Sequence, residues 1–295
     1  MSTRAQAELV LFIVTLIWSS TFVTIKVGLE YTTPFVFMTF RFIIAALFFA
    51  ALFYRQLKHI QMSTFRRGVI LGFLFGAAIT LQTYGLHHTT ASKSAFISGT
   101  LIIFTPFVQM VNERKFPKFS TIVGIIIVTA GLYLFTSPEG GTLNIGDIAT
   151  IIAAALLGIY TVYIDIFTKK EESEKIFQLV FFQIVVAVLI GAFSIPLEIP
   201  RLEFEPDLLM VIIYLSLGVT IITLFIQTHF QKDTTPTRAV LIFTLEPVVA
   251  SGFAYYILKE QWSSNAVIGA VLIIFGVLFL ELFSVLYKKY RTKTS

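Results

Sequence analysis

The chain has 295 residues, of which 56% are hydrophobic and only 13% charged, with a mean hydropathy of +0.85. A soluble domain of this length needs more charge to cover its surface, so the composition excludes one and implies a polytopic membrane protein. The absence of cysteine excludes disulfides, thiol nucleophiles and Cys-ligated metals, and the formal charge of +5 sits in loops beside apolar runs, which points to membrane orientation rather than nucleic acid.

Apolar blocks of about 20 residues, the length that crosses a ~30 Å hydrocarbon core, recur along the whole chain. They fall at 8–28, 34–54, 68–87, 92–111, 119–137, 146–167, 176–197, 207–228, 236–258 and 266–287. Lipid leaves no partner for a free backbone group, so each block must be a helix. The expected fold is an all-α polytopic membrane protein with ten transmembrane helices and no inserted soluble domain. The first block is too long for a signal-peptide core and is expected to be a retained span.

In span 1, Trp18, Ser19 and Ser20 lie mid-span, too deep for interfacial anchoring of the indole. A pocket wall and plain helix packing both fit them. Lys26, near the end of the same span, either snorkels or faces a cavity. Arg41 in span 2 reads as a structural cation paired with an acid or with carbonyls. Gly68, Gly72 and Gly76 form a small stripe on span 3 that permits close helix approach. Gln82, near the end of that span, would bond either a ligand or a neighbouring helix. His87 and His88 diverge at a helix end with no third ligand, so no metal site is expected. Lys93 opens span 4 and Pro106 interrupts it. Gly124 and Gly131 mark one face of span 5. The Gly-Gly and Pro of 136–147 make 138–145 the natural linker.

The second half begins with span 6, where Tyr160 and Tyr163 offer phenol groups. Gln227 closes span 8 and Arg238 opens span 9. Glu246 lies about ten residues into span 9, hence ~15 Å deep at 1.5 Å per residue. A carboxylate there faces a cavity or a partner rather than lipid. It serves either as a proton-coupling or ligand-binding group, or as a tie between helices. Pro247 follows and frees a carbonyl one turn earlier. Gly269 and Gly276 on span 10 would pack within the chain or support a homodimer, and a basic tail occupies 288–295.

Alternate loops carry sixteen Lys and Arg residues and the opposite loops only Arg201 and Lys259. Both termini are therefore expected in the cytoplasm, with the chain in the cell membrane.

The phrase QTYGLHHTTASKSAFI (82–97) returns 145 residues later as QTHFQKDTTPTRAVLI (227–242). Gln82, Thr83, Thr89, Thr90 and Ile97 recur unchanged, and Lys93 becomes Arg238. The same offset pairs Gly124 with Gly269 and Gly131 with Gly276. A repeat of five spans is odd, so the second unit enters the membrane upside down. Inverted repeats of this kind build alternating-access carriers. Pro106 and Pro247 match at an offset of 141, one turn out of step.

These features resemble the EamA family of the drug/metabolite transporter superfamily. The likeness covers 8–137 and 146–287. It rests on LIWSSTFVTIKVGL (16–29), TTASKSAFISGTLIIFTPFV (89–108), LLGIYTVYIDIF (156–167) and the stretch from TLEPVVASGF to FGVLFL (244–280). Ser19 stands where a glycine commonly follows the tryptophan. The resemblance implies ten helices, a central cavity lined mainly by spans 1, 3, 4, 6, 8 and 9, and export of small metabolites.

Three functions compete. A secondary transporter for an amino acid or comparable metabolite fits the inverted repeat and the midplane carboxylate, with Lys93 and Arg238 on opposite faces as gates, as attractors of an anionic substrate, or simply snorkelling to the interface. A membrane scaffold or partner subunit is the alternative. An intramembrane enzyme lacks support, since the chain has no H-E-x-x-H helix, no paired intramembrane aspartates and no nucleotide-binding loop. No catalytic residue, cofactor or metal is expected.

Overall fold

Each apolar block becomes helix, with ends within a few residues of those expected. The computed structural model describes residues 3–114, 116, 119–136, 144–169 and 171–291. Most of the expected linker 138–145 and the last four residues of the basic tail lie outside the described residues. Eight helical segments are long and apolar enough to span: Thr3–Gly28, Pro34–Phe53, Met62–His87, Ala91–Glu113, Ile145–Thr168, Glu174–Leu197, Pro206–Asp233 and Pro236–Ile257. The shorter apolar stretches Phe119–Phe135 and Ser264–Phe279 complete ten, numbered here as spans 1 to 10 in chain order.

The duplicated phrase is a helix start written twice. Thr90 Oγ1 accepts the backbone N–H of Lys93, and Thr235 Oγ1 accepts that of Arg238, so each caps the first turn of its span. Span 6 opens on a full capping box, with Asn144 and Asp147 each accepting the other's backbone N–H.

Three spans are interrupted, and each break has the same local cause. Span 1 divides into Thr3–Ser19 and Thr21–Gly28, span 4 into Ala91–Gly99 and Leu101–Glu113, span 9 into Pro236–Phe243 and Glu246–Ile257. At the breaks a hydroxyl donates to the carbonyl three residues back: Ser20 to Ile17 at 2.7 Å, Thr100 to Ile97 and Thr244 to Leu241 both at 2.6 Å. Such bonds compete with the helix ladder and bend it. Pro247 sits just past the break in span 9, but Pro106 lies inside the continuous helix Leu101–Glu113. The one-turn slip between the prolines therefore does not carry over to the breaks, which match the repeat offset to within one residue. Span 8 departs differently: Tyr214–Ile221 is a π-helical stretch, with Thr220 Oγ1 donating to Leu215 O at 2.8 Å, five residues back.

Glycines set the closest packing. A Cβ on Gly72 would stand 2.7 Å from Val186 Cβ, and one on Gly76 2.8 Å from Ala187 Cα, so the stripe on span 3 seats span 7. A Cβ on Gly269 would stand 2.4 Å from the Phe135 backbone nitrogen, and one on Gly131 2.9 Å from Gly269 O. Spans 5 and 10 thus meet backbone to backbone within one chain. The contacts also obey the repeat. Span 3 packs on span 6 as span 8 packs on span 1, span 4 on span 6 as span 9 on span 1, and spans 2, 4 and 5 each meet their own counterparts 7, 9 and 10. Among the described residues the one β-feature is an isolated bridge, Thr32 with Leu202, where the loop after span 1 crosses the loop after span 7.

Candidate functional site

The two interrupted spans of the repeat cross at their breaks. A Cβ on Gly99 would lie 3.0 Å from Pro247 Cγ, so span 4 can approach span 9 there because residue 99 is glycine. Beside this crossing lies a cavity walled by spans 1, 2, 3, 4, 6, 8 and 9. Its lining is largely apolar and aromatic, with Trp18, Phe75 and Phe243 among the walls and a few convergent polar groups, the usual make-up of a small-molecule site.

Of the residues expected at a site, Trp18, Gln82, Tyr160, Gln227 and Glu246 come together on this cavity. Trp18 donates its indole N–H to Thr223 Oγ1 at 2.7 Å and packs on Phe243, ring centroids 5.2 Å apart. Gln82 Nε2 donates to Ser98 Oγ at 2.7 Å, and Tyr160 Oη to Gln183 Oε1 at 2.6 Å. Gln227 Nε2 donates to Gln231 Oε1 at 3.0 Å, while its own Oε1 has no partner among the described residues. Glu246 lies on the wall at the first turn of its half-helix, with no ion pair among the described residues.

The other expected residues lie elsewhere. Ser19 is fully buried and donates to Thr15 O at 2.8 Å. Tyr163 packs on Phe167, ring centroids 5.4 Å apart. Pro106 and Pro247, expected to shape a cavity rather than to touch a solute, are not among its lining residues. Lys26 neither snorkels nor lines it: its Nζ caps the end of span 3, at 3.0 Å from Leu86 O and 2.7 Å from Thr89 O. Among the described residues no group of three His, Asp or Glu could hold a metal ion.

Lys93 and Arg238 instead form ion pairs at the two ends of the bundle. Lys93 Nζ lies 2.7 Å from Asp147 Oδ2, joining the starts of spans 4 and 6. Arg238 Nη1 lies 3.1 Å from Glu8 Oε1, joining the starts of spans 9 and 1. Span 4 corresponds to 9 and span 6 to 1, so these are the same link made once per half. Neither acid was legible as a partner, because each is distant in sequence from its base.

Among the cavity residues that the sequence did not single out for the site, the charged one is Arg41. It was expected to be paired with an acid or with carbonyls, yet it makes no ion pair among the described residues. It is 5% exposed, lines the cavity, and donates Nε–H to Thr220 Oγ1 at 3.1 Å.

The repeat also shapes the lining. Phe75 and Thr220, Ile79 and Leu224, Gln82 and Gln227, Ser98 and Phe243, and Leu101 and Glu246 all face the cavity as pairs at the 145-residue offset. Two inverted units of matching sequence, ten spans and a shared central cavity agree with the family match, which falls on residues 5–137 and again on 144–282. The chain belongs to the EamA-like transporter family.

Two relatives match this chain across nearly their full length. A protein of Archaeoglobus fulgidus named an uncharacterized transporter is 28% identical over 280 residues, covering 95% of this chain and 87% of that protein. The uncharacterized transporter YoaV of Bacillus subtilis is 25% identical over 281 residues, covering 92% and 94%. A crystal structure with a TM-score of 0.75 matches 95% of this chain and 97% of its own at 16% identity, a likeness of fold. In this EamA-like transporter the lining spans are those the resemblance implies, with Arg41 of span 2 added.

Proposed function

We propose that this membrane transporter is a secondary carrier that exports a small metabolite, an amino acid or a solute of similar size, by alternating access. The observation that carries the reading is Glu246: an acid on the wall of a mid-bundle cavity, without an ion-pair partner, where two interrupted helices cross. In such a place a carboxylate takes up and releases a proton or a cationic group as the cavity changes access. With both termini in the cytoplasm of a cell-membrane protein, as the loop charges favour, Lys93–Asp147 is the outer latch and Arg238–Glu8 the inner one. Opening one while the other holds gives the two access states.

The test is flux. Proteoliposomes holding the purified chain should accumulate or release members of an amino-acid and metabolite panel, and an imposed pH gradient should change the rate. Glu246→Gln should remove that pH response. A protein that moves no panel member under any gradient overturns the transport reading, and an unaltered pH response in the variant overturns the role of Glu246.

A further inference from the structure

We infer that Arg41, held by the π-helical stretch of span 8, is the anchor for a carboxylate on the transported solute. The proposal rests on the transport reading above and assigns the substrate class of the same cavity.

The argument starts from an imbalance. A guanidinium inside the bilayer is tolerated when carboxylates or carbonyls occupy its five donors. Arg41 is 5% exposed, yet among the described residues its guanidinium makes one hydrogen bond, from Nε to Thr220 Oγ1 at 3.1 Å. The Phe42 ring lies beside it, 5.3 Å from the guanidinium carbon to the ring centroid. Among the described residues the two Nη groups have no hydrogen-bond partner, and Arg41 itself lines the cavity. A purely structural arginine would spend its fork on the protein. This one leaves the fork open, in the planar geometry that takes a carboxylate by two parallel bonds.

The surroundings hold it in that posture. The π-helix turns Ser216 and Thr220 toward span 2: Ser216 Oγ donates to Arg41 O at 2.8 Å, while Thr220 Oγ1 accepts from Nε. Thr220 keeps its lone pair directed at Nε because its own proton goes to Leu215 O at 2.8 Å. Local widening of a helix is a recurrent device at functional sites. Here it fixes the backbone and one edge of a single arginine.

Charge narrows the ligand. Among the described lining residues Arg41 is the one basic group and Glu246 the one acid, and they are not within ion-pair distance of each other. A dianion such as a phosphate monoester would meet one positive group and the repulsion of an ionised Glu246. A singly charged carboxylate matches the fork. A solute with a carboxylate at one end and an ammonium at the other would satisfy both walls.

The test compares matched probes on the purified full chain. The probes are leucine and phenylalanine, their carboxamides, and the deaminated acids 4-methylpentanoate and 3-phenylpropionate. Binding is read by calorimetry and thermal shift, and flux by proteoliposomes. Losing a charge-assisted pair should weaken the amides on the order of 10- to 100-fold relative to the amino acids. Arg41→Gln should erase that preference while amide binding persists, a change that mere loss of packing would not produce. Arg41→Lys should recover charge but not the fork and fall between the two. If the Arg41 variants prove unfolded, Thr220→Val, which leaves every charge in place, should reduce the preference several-fold. Wild-type protein that binds amides as well as acids, or that binds none of the acids, overturns the proposal. So does an acid preference that survives in a folded Arg41→Gln protein. Transport confined to carboxyl-free solutes removes the anchor and leaves the carrier standing. Carboxylate binding without flux of any solute does the reverse.

Discussion

On the cavity wall Gln82 of the first half is answered by Gln227 of the second, and Ile79 by Leu224, but Leu101 is answered by Glu246. The same offset sets Arg41 against Val186, which lies on span 7 and does not line the cavity. The halves thus agree in which positions face the cavity, and at Gln82/Gln227 and Ile79/Leu224 in the groups they place there. They differ at both of its charges. Duplication supplies two matching walls and two matching breaks, which is what a carrier needs to form equivalent outward and inward states. A charge repeated by symmetry would place two like groups in one low-dielectric chamber, where their repulsion is large. One acid and one base, each confined to one half, avoid that conflict and give the chamber a direction.

The largest expected effect comes from removing the unmatched acid. Glu246→Gln should lower flux by about 100-fold, the scale of a lost charge-assisted interaction of roughly 1.5–3 kcal/mol, and proteoliposome uptake measures it. Moving the acid instead, as Glu246→Leu with Leu101→Glu, keeps the composition of the lining and should not restore flux, because Arg41 has no counterpart on the mirrored wall. Recovery in the swap would show that the charge asymmetry is incidental.

The matched features answer to stability. Gly269→Ala places a methyl group against the Phe135 backbone, and overpacking of this kind should destabilise by about 1–3 kcal/mol, read as a lower melting temperature in detergent. Breaking one latch should bias access rather than stop transport. A cysteine introduced as Ser98→Cys is free of background in a chain without native cysteine, and its labelling by an impermeant maleimide reports which end is open. Lys93→Gln should raise labelling from the Lys93 end and Arg238→Gln from the other, each by about tenfold for a population shift of ~1.4 kcal/mol. Equal labelling from both ends in either variant would contradict the paired-latch comparison. The smallest effects fall on the symmetric rim: Gln82→Leu and Gln227→Leu should each cost flux a few-fold, in keeping with ~1 kcal/mol per neutral hydrogen bond, and by similar amounts.

Much of this was written in the linear chain. Hydrophobic block length and the need to pair every backbone group in lipid determined ten helices. The repeat offset determined their inversion, and the depth of Glu246 marked it as a residue facing something other than lipid. Those properties depend on neighbours along one helix or on a comparison of two segments, so order and spacing carry them. Folding decided the rest. The breaks follow Ser20, Thr100 and Thr244 rather than Pro106, because a hydroxyl can turn back on its own helix or bond elsewhere. Tyr163 and Ser19 turned away from the cavity, and Lys26 found the carbonyls that end span 3. Asp147 and Glu8 became partners of Lys93 and Arg238, and Arg41 turned its open fork to the cavity. Each of these outcomes turns on which side of a helix faces which neighbour, a choice made by packing between segments more than a hundred residues apart for Tyr160's wall mate Trp18 and for Arg41's partner Thr220.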